Sequence, residues 1–455
     1  MHGSIVVIAR IFVESTQQSY ENILRLHQSY APHNDVIDPH KQNHKNTTMP
    51  SSAFLIAFFV SIIRYYDYAL FGLSAHILAQ NFLPRSTHET QLLGFFALLS
   101  AAVVIRPLGS IIFGYIGDRY GRTKSIKISM FISSISTLLI AVTPSFDKIG
   151  ILATIMLTFC RMIFLASLAG EVDGIKVYVA EKTKNNRKNL GLGVVASCTQ
   201  IGALLAAMAY YCATNLNIYY LWRINFLIGA TFGLFAILMR SYFEESREFL
   251  YNKNKQSDNI PIFQSLKNSK KSFILALLIN GTIGGIYHFL VYFLGVFLAK
   301  IAFINPIETE FMNISLIITY GIAAIFAGML ADKINPLKQI IFALLLSLVT
   351  AFTMQTLLYQ QIFTVICPII LIGLAAFYAV PLQIIVQSLF KTAIRMRLYS
   401  LSHSLGGIIL SSSTPFFSML LWQNFKSLWV TFSFFTFLLI ILTIAVLVLR
   451  KTITR

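Results

Sequence analysis

Apolar residues run along this chain in long stretches separated by short polar loops. Each stretch is roughly 20 residues long, the length a helix needs to cross the hydrocarbon layer of a bilayer. Twelve are read: 52–80, 91–116, 124–143, 148–180, 190–213, 221–243, 271–300, 311–331, 337–357, 361–389, 399–420 and 426–449. The period-two alternation of a membrane β-barrel is absent. A backbone in hydrocarbon must satisfy its own hydrogen bonds, so each stretch predicts a helix. The expected fold class is an all-α membrane protein of twelve transmembrane helices.

The polar intervals divide the chain further. Residues 1–50 form a polar, His-rich cytoplasmic N-terminal tail, read either as disordered or as an over-long start with Met49 as the real initiator. The longest internal interval, 244–270, is rich in Lys, Asn and Ser and is expected to be a cytoplasmic linker. It separates an N-terminal six-helix half, 51–243, from a C-terminal six-helix half, 271–449, with 450–455 as a cytoplasmic C-terminus.

Composition supports this reading. Of the 455 residues, 56% are hydrophobic and only 12% charged, whereas soluble domains carry about 25% charged residues. The net charge of +18 would ordinarily raise nucleic-acid binding. Here the cations sit between apolar stretches: Arg119, Arg122 and Lys124 after the second, Lys182, Lys184, Arg187 and Lys188 after the fourth, Lys333 and Lys338 after the eighth, and Lys391, Arg395 and Arg397 after the tenth. All fall on one side of the layer, which the positive-inside rule makes cytoplasmic, along with both termini. The four cysteines lie in or beside apolar stretches without metal-ligand spacing, and no nucleophile–base set or phosphate loop appears, so no enzyme activity, metal or cofactor is expected. Nucleic acid is not an expected partner; the lipid bilayer is.

One loop carries the strongest signal. Gly114-Tyr115-Ile116-Gly117-Asp118-Arg119-Tyr120-Gly121-Arg122-Thr123-Lys124 joins the second and third stretches. It resembles the G-x-x-x-D-R-x-G-R-[RK] loop of the major facilitator superfamily. Gly328-Met329-Leu330-Ala331-Asp332-Lys333 after the eighth stretch echoes it, as two repeated halves would require. Further stretches narrow the resemblance: Tyr66-Asp67-Tyr68, Ile105-Arg106-Pro107-Leu108-Gly109, Ala169-Gly170-Glu171, Tyr178-Val179-Ala180-Glu181, Trp222-Arg223-Ile224, Glu244-Glu245-Ser246 and Thr414-Pro415. Together they are similar to the metabolite:proton symporter family, most like its proline/betaine transporters, over 64–249 and more loosely beyond. The resemblance implies the two-half major facilitator fold in a bacterial inner membrane, a co-transported proton, and a proline- or betaine-like zwitterion as substrate. Lys-, Asn-, Ile- and Phe-rich composition also fits an A+T-rich bacterial genome. Where those relatives carry an acid three positions before the first-stretch Asp, this chain has Arg64, which opens a small organic acid, such as a dicarboxylate, as the alternative. A non-transporting sensor on the same fold is the third reading. The protein is expected to be a monomer.

Charges inside the layer are costly enough to be paired or functional. Arg64 and Asp67 are three apart and share a helical face. Asp67 and Glu171 are the candidate proton carriers, and Arg64 and Arg161 the candidate holders of a substrate carboxylate. Tyr65 and Tyr66 can stack on a quaternary ammonium, and His288 beside Tyr292 is a candidate relay. Asp173 and Lys176 share a face and are expected to pair as a gating element, while Glu171 points nearly opposite to Asp173. Gly114, Asp118, Arg119, Gly121 and Arg122 are expected to lock the loop side, with Glu181, Arg187 and Asp332 joining them.

Overall fold

A computed structural model describes residues 51–85, 95, 98, 102–215, 220–238, 245–246, 249–250, 261–301, 306–360 and 365–453. Every regular element among them is helical. The expected tail 1–50 and most of the linker up to 260, with its Arg247, Lys253 and Lys255, lie outside the described residues, as does Arg240.

Each apolar stretch corresponds to helix. Among the described residues, nine helices are long and apolar enough to cross a membrane, including Arg122–Val142, Ile151–Lys182, Lys188–Ala213 and Leu428–Thr452. The three other stretches appear as Ser51–Leu73 followed by Ala75–Phe82, as Arg106–Tyr120, and as Leu221–Leu238. Numbering the stretches one to twelve, segment eleven starts at Arg395, ahead of the expected 399. Its first turn, Arg395-Met396-Arg397, is polar in sequence but docked against the opposite half, so hydropathy hid it. Segment twelve likewise runs on to Ile453.

Exposed Phe131, Phe159, Phe232, Phe342 and Ile444 line the outer faces, an apolar surface no water-soluble domain of this size presents. The main core cluster joins segment one and segment five residues such as Ala57, Val60 and Val195 to the second half. A second cluster, with Phe71, Phe82, Phe95 and Trp222, sits within the first half.

The halves meet along two seams. Segment two packs on segment eleven, and segment five on segment eight. Exchanging each segment for its equivalent in the other half, two for eight and eleven for five, turns the first pair into the second, so the contact pattern has the pseudo-two-fold character of two parallel six-helix halves. Three π turns interrupt the rods: Ala169–Asp173 in segment four, Phe289–Phe293 in segment seven and Gly407–Ser411 in segment eleven. Such single turns occur mostly at functional sites, and all three border the cavity described next.

Candidate functional site

A cavity of about 220 Å³ lies between the halves, below the ~300–1,000 Å³ typical of sites for drug-sized ligands. Segments one, two and four contribute Tyr65, Tyr68, Arg106 and Lys176; segments seven and eleven contribute Tyr287, His288, Tyr292 and His403. All of the π turns border it: Val172 lies in the first, Tyr292 in the second, Gly407 and Ser411 in the third. Of the expected site residues, Tyr65, His288, Tyr292 and Lys176 therefore reach the cavity. Tyr66 does not: its hydroxyl donates to the Asn225 carbonyl at 3.1 Å and it packs inside the first half. His288 Nδ1 lies 2.9 Å from the Ser411 carbonyl oxygen, tying segment seven to segment eleven.

Behind the cavity, inside the first half, Arg64 joins two acids. Its Nη1 is 3.3 Å from Asp67 Oδ2 and its Nε 2.8 Å from Glu171 Oε2. The i,i+3 spacing forecast the first contact; the second crosses from segment one to segment four. All three side chains are fully buried, and Ser133 Oγ donates to Glu171 at 3.3 Å. A buried group of one guanidinium and two carboxyls is neutral only when it holds one proton. Arg161 stands apart from this group. Its guanidinium lies 4.1 Å from the Phe71 ring centroid and 5.3 Å from that of Tyr68, an aromatic cage rather than an ion pair. Phe164 is shared, with Arg64 at 5.3 Å and Arg161 at 5.0 Å from its centroid.

Asp173 differs from the expected pairing. Among the described residues it makes no ion pair with Lys176. Its carboxylate instead crosses to segment eleven, with Oδ1 2.8 Å from His403 Nδ1 and Oδ2 accepting from Ser400 Oγ at 2.9 Å. The physical reason is the packing of segment eleven, which brings His403 and Ser400 within hydrogen-bond reach of both Asp173 oxygens. Glu171 and Asp173 do face different partners, as regular helix geometry anticipates.

The loop between segments two and three ties the two halves together. Gly121 has φ +116°, a conformation open to glycine and strained for other residues, and its missing side chain leaves room for Glu245. Gly114 lets segment two touch the Arg397 backbone; any Cβ there would collide with it. Asp118 accepts from the Met396 and Arg397 N–H groups, each at 3.0 Å, so it caps segment eleven. Arg122, fully buried, donates to the Gly117 and Thr392 carbonyls at 2.7 Å each and pairs with Glu181 at 3.1 Å. Glu181 also holds Arg395 at 2.9 Å and Ser246 at 2.8 Å. Glu245, whose part the sequence did not reveal, accepts from Thr123 N–H and Oγ1 at 3.1 and 2.7 Å. Asp332 repeats the motif at the other seam, accepting from the Asn189 and Leu190 N–H groups at 3.0 and 2.8 Å. Arg119 and Arg187 stay outside this network among the described residues. Arg119 is exposed and stacks on Tyr115 and Tyr120, with a short contact to the Tyr115 hydroxyl; Arg187 is exposed in a 3-10 turn.

Sequence reasoning missed three contributors: Arg106, which it read only as part of a motif, His403 and Ser400. The signal for Arg106 was present, a cation within an apolar stretch. His403 and Ser400 could not be found without knowing that segment eleven faces segment four.

Comparisons with known proteins agree with this architecture. Residues 53–276 match the family described as "Sugar (and other) transporter". A protein of Staphylococcus aureus strain COL named "Putative proline/betaine transporter" is 28% identical over 370 residues, 78% of each chain. The proline/betaine transporter of Escherichia coli K12 is 32% identical over 199 residues, 42% of this chain and 40% of that one. Among solved structures, the proton:xylose symporter XylE bound to 6-bromo-6-deoxy-D-glucose superposes with TM-score 0.71 at 18% identity, covering 89% of this chain and 95% of the other. FucP in the outward conformation gives TM-score 0.66 at 11% identity, with 88% and 99% covered. With that fold, an inter-half cavity and relatives named as transporters, this chain has the multi-helix fold of the major facilitator superfamily and is similar in sequence to membrane transporters rather than to enzymes.

Proposed function

We propose that the protein performs proton-coupled symport of a small carboxylate-bearing metabolite across a bacterial plasma membrane, with both termini cytoplasmic. The halves 51–243 and 271–449 rock about the linker 244–270, exposing the cavity to each side in turn. The observation that carries this reading is the neighbourhood of two sites on segment four. One face of that helix lines the cavity through Leu165, Leu168 and Lys176; another holds Glu171 against Arg64. A proton gained or lost by the Arg64–Asp67–Glu171 group is thereby felt by the helix that contacts substrate. Asp118, Arg122, Glu181 and Asp332 close the cytoplasmic side, and they must release for the substrate to leave.

Two substrate classes meet this description. The names of the relatives favour a proline- or betaine-like zwitterion, whose cationic end Tyr65, Tyr68 and Tyr292 can receive. A small organic acid is favoured by a different observation: Arg106 and Lys176 line the cavity, and no Asp or Glu does.

Purified protein in liposomes with an imposed inward proton gradient tests the reading. Labelled proline, glycine betaine, lactate and succinate are supplied in parallel. Uptake that collapses when a protonophore dissipates the gradient is the expected result. Uptake indifferent to the protonophore would refute proton coupling, and no uptake or exchange of any solute would favour a sensor.

A further inference from the structure

Two cations face the cavity without a direct ion pair among the described residues. Arg106 and Lys176 both line it. Arg106 Nε is shielded and has no hydrogen-bond partner among the described residues. Its Nη1 points across the seam, 3.9 Å from where a Cβ on Gly407 would sit. Lys176 likewise makes no hydrogen bond or ion pair among the described residues. The acid one turn before it, Asp173, acts on Lys176 and Arg106 only at longer range, because one of its oxygens meets His403 at 2.8 Å and the other accepts from Ser400 at 2.9 Å. Asp67 and Glu171 are held by Arg64. The remaining lining is tyrosine, histidine, amide, hydroxyl and hydrocarbon.

A cation sheltered from water and left unpaired is unfavourable, and the penalty falls when an anion arrives. We infer that Lys176 and Arg106 form an anion subsite that makes this carrier select small organic acids over zwitterions. The inference rests on the transport reading proposed above and sharpens its substrate class. A carboxylate between the guanidinium and the ammonium gains two charge-assisted contacts. A zwitterion gains the same contacts but brings a third cation into a cavity that already holds two and whose described lining includes no acid to receive it. That juxtaposition of like charge is the discriminating element. Lys176 is the specificity residue because it adds the second cation; Arg106 alone would match a single carboxylate equally well on a zwitterion or an acid.

The test uses the full-length protein in liposomes, wild type beside Lys176→Gln and Lys176→Arg. Binding of labelled succinate, lactate, proline and glycine betaine is measured at equilibrium, and uptake is measured in the same vesicles. The expected result is tighter binding of the acids than of the zwitterions by wild type. Lys176→Gln then weakens acid binding about 10-fold or more, the scale of a lost charge-assisted contact, and narrows the gap to the zwitterions. Lys176→Arg keeps the preference, which a merely structural lysine would not predict. Wild type that binds zwitterions as well as acids, with Lys176→Gln unchanged, overturns the inference while leaving the carrier intact. Acid binding that depends on Lys176 without uptake upholds the subsite and overturns symport instead. Absence of acid binding by well-folded wild type also overturns the subsite.

Discussion

Asp118 and Asp332 hold equivalent posts in the two halves, each capping the first turn of a helix in the other. Asp118 takes the N–H groups of Met396 and Arg397 on segment eleven; Asp332 takes those of Asn189 and Leu190 on segment five. A carboxylate at a helix N-terminus answers both the unpaired donors and the positive end of the dipole. On the rocking motion proposed above, these contacts break when the loop side opens, so they would stabilise the shut state alone.

Replacing either aspartate by asparagine keeps one accepting oxygen and removes the charge. Weakening by about 0.5–2 kcal/mol, the range for lost caps, should move the population toward loop-side opening by a factor of roughly two to thirty. Single cysteines introduced near Thr392, in a background lacking the four native ones, should become more reactive to a membrane-impermeant maleimide from the loop side. Unaltered labelling in both variants would remove the capping contacts from the switch.

Gly114→Leu tests the same seam by bulk. Its side chain meets the Arg397 backbone, which cannot withdraw while Asp118 and Arg122 hold segment eleven. The shut state should be lost in favour of the opposite state, with transport falling by at least about 10-fold if closure is disfavoured by roughly 1.4 kcal/mol or more. Gly114→Ala should show a smaller effect in the same direction. Wild-type turnover in the leucine variant would mean that the seam is looser than its geometry indicates.

The buried triad predicts an asymmetry between its members. Arg64→Gln leaves two carboxyls together without their cation and should cost stability on the order of 3–5 kcal/mol, read as a lower melting temperature in detergent. Asp67→Asn and Glu171→Gln remove a charge that the remaining pair can absorb, so these variants should melt near wild type. Their deficit should lie in gradient-driven uptake, with solute exchange at zero gradient surviving. Undiminished gradient-driven uptake in both would take proton carriage away from Asp67 and Glu171.

His403→Ala strands the Asp173 carboxylate at the seam, keeping only the Ser400 donor. Truncating one partner of a buried charged pair typically costs about 2–5 kcal/mol, so the variant should be destabilised. The paired change His403→Ala with Asp173→Ala should recover much of the loss, because no stranded charge remains. A double variant as unstable as the single one would show that the bond between them carries little of the effect.

Segments and loop motif were legible for the same reason: both are written locally. Hydropathy placed the described segment starts within about five residues, and its most instructive miss is at segment eleven, whose polar first turn is satisfied by Asp118 rather than by water. The Arg64–Asp67 contact could be read from a spacing of three. Glu171 joining Arg64, and Asp173 leaving Lys176 for His403, could not, because both depend on which helix faces which. Arg106 shows a third limit. Its residue type was plain, but its orientation into the cavity is a property of the packed bundle.

The π turn in segment four is a reserve of one residue within an otherwise regular rod. If the extra residue migrates along the helix, the part it passes advances by about 1.5 Å and rotates by about 100°, while both ends stay anchored. Glu171, held by its own half, and Asp173, held by the other, lie inside that stretch. Segment four therefore resembles a vernier: a small slip of register at Glu171 becomes a change of grip across the seam, without any helix having to unfold.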